Sequence, residues 1–396
     1  MSRTIVSLRD VVEPKAGLRN PAIAPQDPFT YVDVAAIDNE EKRIVAARVL
    51  LGSEAPSRAR KLMRRNDVLV STVRPNLNAV AIVPDELDGH IASTGLCVLR
   101  AKECALPEYL YFYVRSKVFV DGLCKLVAGA MYPAVTDSQV LSQPLPLPSL
   151  REQRRIVDLL GRAEGIVRLR REAQQKAAEL IPAIFIDMFG DPATNPKGWP
   201  QKPLSSVAEV ISGVAKGRKL DPREAVELPY MRVGNVKDGY LDLDEVKTIE
   251  IKSSEVERLR IEPGDLLMTE GGDPDKLGRA ALWRGEIDLC VHQNHVFKVR
   301  TDRSKLSPEY LRSLAGSAYG KAYFLSVAKK TTGIASINKT QLSAFPVLLP
   351  PLNEQHVFAK HVVSAEAIAR KQAEATASAQ VTFDALLAQA FGLTPC

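Results

Sequence analysis

A stretch of 44 residues occurs twice in this chain, at 147–190 and again 202 positions later at 349–392. The copies align without a gap, and 15 positions are identical, among them Leu150, Glu152, Gln153, Ala163, Glu164, Phe189 and Gly190. Each copy has a proline-marked entry, a long helical pattern, and a glycine of the kind that ends helices. The chain is therefore an internal duplication, and each arm ends in a helix.

The text before each helix repeats more loosely. In the first arm, β-branched and alternating segments predict strands over 31–37, 68–73, 79–83 and 94–100, parted by turn residues such as Asn66-Asp67 and Asp88-Gly89. Pro107 then opens a helix expected to run to about Leu126, at the first-turn position proline tolerates. The second arm answers in order, with Tyr230–Val236 for Tyr31–Ile37 and Pro308-Glu309-Tyr310-Leu311 for Pro107-Glu108-Tyr109-Leu110. Here the offset drifts, 199 at Tyr31/Tyr230 and 198 at Asp67/Asp265, whereas it stays at 202 through the helices. Loops that vary in length are where binding residues usually sit. A helix of fixed length sets geometry instead.

These boundaries give an α+β chain in four parts: a mixed α/β globule over 1–146, a helix over 147–190, a second globule over 191–348, and a second helix with the C-terminus over 349–396. A length of 396 residues exceeds what one core usually holds. The net charge of +6 permits an acidic partner such as nucleic acid without requiring one. Five scattered cysteines, with no C-x-x-C pair, predict a reducing compartment rather than a disulfide framework. No apolar signal core and no run of about 18 apolar residues is present. A soluble, cytoplasmic protein with no membrane partner is expected.

In the first helix, Ile156, Leu160, Ala163, Val167, Leu180, Ile184 and Met188 fall mostly at steps of three and four. In the second, Phe358, Val362, Ala365, Ala369, Ala373, Thr376, Phe383 and Leu387 do the same, with small residues that permit close approach. A helix of about thirty-five residues spans roughly 50 Å, and neither stripe can lie bare in water. The two helices are expected to pair antiparallel, as a coiled-coil-like spacer. Pro182 predicts a kink or a break one turn before it.

Several motifs resemble one family. They are the entries Leu150-Arg151-Glu152-Gln153 and Leu352-Asn353-Glu354-Gln355, the exit Met188-Phe189-Gly190-Asp191-Pro192, and the segments Asn195-Pro196-Lys197-Gly198-Trp199 and Pro229-Tyr230-Met231-Arg232-Val233-Gly234-Asn235. The chain is similar along its whole length to the specificity subunits of type I restriction-modification enzymes. That resemblance implies two target-recognition domains, each reading one half of a split site in double-stranded DNA, held apart by paired helices. It also implies that the helices bind two methyltransferase subunits and, through them, restriction subunits. Leu150, Gln153, Ile156, Leu352, Gln355 and Phe358 are the partner-facing positions this suggests.

No catalytic set is visible. An Asn/Asp-Pro-Pro-aromatic methyltransferase motif and its Gly-rich donor loop are missing, and Gly213-Val214-Ala215-Lys216-Gly217-Arg218 does not satisfy the phosphate-loop pattern. His292-Gln293-Asn294-His295 lies in a predicted strand, where residues three apart point to opposite faces, so a metal pair is disfavoured. No cofactor and no metal is expected, and the chain is read as non-catalytic. A divergent DNA-modifying enzyme and a pure protein scaffold are the competing readings.

Candidate DNA-facing residues lie on loops that mix basic and amide side chains. In the first arm they are Arg58, Arg60, Lys61, Arg74, Asn76 and Asn78, with Met131 and Tyr132. In the second they are Lys216, Arg218, Lys219, Lys276, His292, Gln293, Asn294, Lys329, Lys330 and Thr331. Lysine and arginine there would hold phosphates, while amides and some arginines would read base edges.

Overall fold

The computed structural model describes residues 4–14, 16–127, 129, 131–273, 277–331 and 334–392. The chain forms two compact units, residues 1–172 with 374–396, and residues 173–373. Both division points fall inside the long helices, which run unbroken over Leu150–Phe189 and Leu352–Phe391.

In the first unit, Leu96–Leu99, Val68–Ser71 and Val80–Ile82 form an antiparallel sheet in that order. Its strands are buried on both faces, which is why they read as continuous apolar runs. A second sheet has the order Arg48–Leu51, Pro28–Val32, Ile91–Ser93, Ala59–Leu62, with a parallel pairing of Tyr31 to Ile91 at its centre. The second unit repeats the parallel pairing at Tyr230 and Val291. Its main sheet, Ala208–Ser212, Val296–Thr301, Leu266–Thr269 and Ala280–Leu282, is antiparallel throughout.

The predicted helix from Pro107 is two helices, Pro107–Arg115 and Lys117–Leu126. Ser116 separates them in extended backbone, and its hydroxyl accepts from the Phe119 N–H as an N-cap. Each unit has its own aromatic core where a globule meets a helix end. Tyr109 of the first unit packs 5.1 Å from Phe391, between ring centroids, and Tyr310 of the second packs 4.9 Å from Phe189.

Of the kink or break expected at Pro182, the break does not occur, since the helix is continuous through it. Proline removes the bond to the carbonyl of Ala178, but Pro182 and Ala178 are both exposed, which leaves that carbonyl on the solvent side of the helix. At 40 residues each helix is about 60 Å long, longer than expected. The apolar stripe of the first helix also departs from expectation beyond its polar middle. Phe185 and Phe189 are the buried residues there, and Ile184 and Met188 are only partly covered. The aromatic pocket made by Tyr310 and Phe358 receives the two phenylalanines.

The recurring glutamine explains the entry motif. Gln153 accepts from the Leu106 N–H and donates to the carbonyls of Cys104 and Pro148. Gln355 accepts from the Ser307 N–H and donates to Lys305 and Pro350. These are the same three bonds, and each clips the loop before a globule helix to the start of a long helix. Both side chains are fully buried, as are Ile156 and Phe358 in the apolar cores. These four residues are therefore committed within the chain and cannot face a partner, contrary to the sequence expectation. Leu150 and Leu352 remain partly exposed.

Two further ties recur. Asp67 and Asp265 are buried carboxylates gripped bidentately by Arg100 and Arg300. Glu164 and Glu366, equivalent positions of the long helices, pair with Arg115 at 2.6 Å and Arg312 at 2.5 Å. The arginines come from different turns of their helices, yet they reach the same carboxylate.

Candidate nucleic-acid interface

Three segments converge at one tip of each unit through matching backbone hydrogen bonds. In the first unit the Thr72 N–H donates to Gly95 O at 2.9 Å, and the Val135 N–H donates to Thr72 O at 2.8 Å. In the second, Glu270 N–H donates to His295 O at 3.0 Å and Ile337 N–H donates to Glu270 O at 2.8 Å. The loops singled out in the sequence hang on this frame. Thr94 N–H binds Arg58 O, and Arg74 N–H binds Pro133 O next to Tyr132. On the other unit Asn294 N–H binds Val214 O, which carries the basic loop to the same place. Gly213 is required there, because a Cβ would lie 2.1 Å from the His292 carbonyl oxygen.

In the first unit Arg58, Arg74, Asn76 and Tyr132 are exposed. Pro75–Leu77 is a single 3-10 turn, bracketed by Arg74 and Asn78 at φ of 48° and 47°. The bracket pushes Arg74 and Asn76 outward and turns Asn78 inward. Asn78 donates to Val114 O at 2.8 Å and its side-chain oxygen accepts from Lys42, so it holds the loop rather than reading DNA. Burial, with Arg115 nearby, pushes the Lys42 ammonium down to about 8. Lys61 is also committed inside, to Leu96 O and the Asp137 carboxylate. Arg60 is half-buried and donates to Ala59 O.

In the second unit Lys216, Lys219 and Lys329 are exposed, and Gln293 and Asn294 are half-buried in the turn beside the basic loop. Arg218 is exposed but paired with Glu255, whose carboxylate raises the guanidinium further above its ordinary value. His292 is a correction. Its ring is fully buried, with Nδ1 2.7 Å from Val296 O, and burial holds it down to about 4. Lys330 and Thr331 belong to the strand Lys329–Thr331 by backbone alone, and Lys276 lies outside the described residues.

His295, weighed in the sequence only as one of a metal pair and left out of the DNA-facing set, is an exposed histidine whose Nδ1 lies 2.6 Å from a Glu270 carboxylate oxygen at this tip. Sequence reasoning missed Val73, Leu77 and Leu126, large apolar residues left exposed. Polarity was the search criterion, so these carried no signal. Among the described residues, no group of three or more His, Cys, Asp or Glu is arranged to hold a metal, and no helix is long and apolar enough to cross a membrane.

The family model for the type I restriction modification DNA specificity domain matches residues 34–178 and 196–373, once in each arm. A Methanocaldococcus jannaschii relative, the MjaX specificity subunit of a type I restriction enzyme, is 27% identical over 42% of this chain and 39% of its own. The EcoKI specificity subunit of Escherichia coli K12 is 24% identical over 74% of this chain and 67% of its own. The chain thus spans about two fifths of the first of these and two thirds of the second. A solved chain described under complex assembly and conformational transition of the type I R-M system is 30% identical, with a TM-score of 0.64 over 98% of this chain and 97% of that one.

Proposed function

The chain belongs to the type I restriction modification DNA specificity family, and on that premise we propose that it is a non-catalytic reader of a bipartite site in double-stranded DNA. Each globule is a target-recognition domain for one half-site. The long helices, paired antiparallel as a coiled coil, hold the two domains apart and dock two methyltransferase subunits, with restriction subunits joining through them.

The observation that carries this reading is the repeated tip. The same pair of backbone hydrogen bonds supports different polar side chains in the two units, Arg58, Arg74, Asn76 and Tyr132 in one, and Lys216, Lys219, Gln293, Asn294 and Lys329 in the other. A frame kept constant under a changing surface suits two modules that read different sequences by the same mode. Phosphate contacts from the lysines would fix register, while the amides and arginines on the turns would read base edges. Docking is assigned to helix surface that stays open, including Leu159, Ile166 and Leu169 on the first helix and Val357, Val363 and Ile368 on the second.

The test is a map of methylated bases in cells that carry this chain with its modification subunits. A motif of two defined halves around an unspecified gap of constant length is expected. An uninterrupted motif, or methyl transfer by the purified chain alone, would overturn the reading.

A further inference from the structure

The first unit's tip carries an apolar crown. Met131 is 88% exposed and Tyr132 81%, and both immediately precede the Pro133 carbonyl that accepts from Arg74. Val73 bridges to Ala134 on the same segment. Leu77, on the 3-10 turn, and Leu126, at the end of the helix packed against that turn, are both nearly half exposed. Such side chains cost free energy in water and mark a surface that is covered in use.

Charge indicates what covers it. Residues 72–78 and 125–135 contain Arg74 and Lys125 but no aspartate or glutamate. The flanking acids are neutralised, Asp121 by Lys117 and Asp137 by Lys61. An apolar crown on two segments that carry Arg74 and Lys125 and no acid of their own suits a polyanion that offers apolar faces between its charges, and base pairs in a phosphate backbone have that chemistry. In the second unit the corresponding position is Gly271–Gly272, paired flat against Ile334–Ser336.

Resting on the reading of this tip as a DNA surface, we propose that the first unit is a wedge. Met131, Tyr132 and Leu77 enter between two adjacent base pairs of its half-site, unstack them and kink the duplex there. Insertion of apolar side chains into a base step is an established way for a protein to deform DNA. Specificity then includes the ease with which the wedged step opens, so flexible pyrimidine–purine steps are favoured at that point.

The experiment uses the full chain assembled with its modification subunits, on duplexes carrying the mapped site with 2-aminopurine placed in turn at each step of both halves. A rise in fluorescence is expected at one step of the half-site that the first unit reads, besides the base to be methylated, which the transfer chemistry itself extrudes. The combined variant Leu77→Ser, Met131→Ser, Tyr132→Ser should abolish the step signal, leave the signal at the methylated base, and weaken site binding about tenfold. Because the three residues are exposed, its melting temperature should match the parent. As a second measurement, Tyr132→Trp should show indole fluorescence quenched on the specific site and not on random duplex. Specific binding with every step silent, or a step signal that survives the combined variant, overturns the wedge and leaves the bipartite reading standing. Failure of the assembled protein to hold any duplex overturns both.

Discussion

The two units differ little where a globule is held to its helix, and greatly where it faces outward. Gln153 and Gln355 make the same three bonds, and Asp67–Arg100 matches Asp265–Arg300. Glu164 and Glu366 are both captured by arginine. At the tips, by contrast, one unit has a 3-10 turn with exposed Arg74 and Met131, and the other a flat Gly-Gly strand with a basic loop. The mounting is under one constraint and the working surface under another.

The strongest test of that comparison exchanges residues 1–143 for those of a relative. One half of the methylated motif should be replaced completely and the other left unchanged, as read by methylation mapping. A change in both halves would show that the units do not work separately.

The buried carboxylates test whether the mountings are equivalent. The aspartates are buried but the guanidiniums are partly exposed, and Arg300 keeps Glu262 at 3.2 Å, so removing either carboxylate should cost about 1–3 kcal/mol. Asp67→Ala and Asp265→Ala should each destabilise their own unit by that order, followed by amide hydrogen exchange resolved to the two units. A large loss in one unit and none in the other would break the equivalence.

Acid should separate the units. His292 lies at the position of Ala92, and its folded-state value of about 4 lies below the ordinary 6.5. The unfolded chain therefore takes up the proton first. Stability contributed by the neutral ring is complete above 6.5 and is lost as pH falls from 6.5 towards 4, amounting to about 3 kcal/mol across that window. Denaturant melts from pH 7 to 5 should show the second unit weakening more than the first, with His292→Asn removing the excess. An unchanged difference between parent and variant across that range would refute it.

The smallest effects are expected on the first tip. Arg74→Ala and Asn76→Ala should each cost up to about 1–3 kcal/mol of site affinity at unchanged melting temperature. Asn78→Ala should instead lower the melting temperature, since it removes the bond to Val114 O. If Asn78→Ala leaves stability intact and abolishes site binding, its assignment as a structural residue is wrong.

The duplication and the long helices were legible because they rest on spacing, which survives in one dimension, whereas the strand expected over 31–37 is Pro28–Val32 followed by a 3-10 turn at Val34–Ala36. Whether a polar residue faces out was not. Lys61, Asn78, Gln153 and Gln355 have the residue types of a binding surface, but each spends polar atoms on a carbonyl or amide distant in sequence, and His292 is buried with its Nδ1 against Val296 O. Composition cannot distinguish a buried, satisfied amide from one reserved for a ligand. The one-residue error in the first helix has a similar cause: the buried stripe beyond its polar middle is set by the rings of Tyr310 and Phe358, supplied from elsewhere in the chain.

The cores also impose an order in time. A ribosome delivers residues from the first to the last, and the second unit, 173–373, is one uninterrupted stretch that can close as soon as it has emerged. The first unit begins earlier but finishes later, because Phe383, Leu387 and Phe391 belong to its core. Until they arrive, Tyr109 and Phe112 lack their aromatic neighbours on the final helix. The half of the protein made first therefore stays unfinished throughout synthesis of the other, and nascent chains stalled before residue 383 should bind chaperones through the first unit.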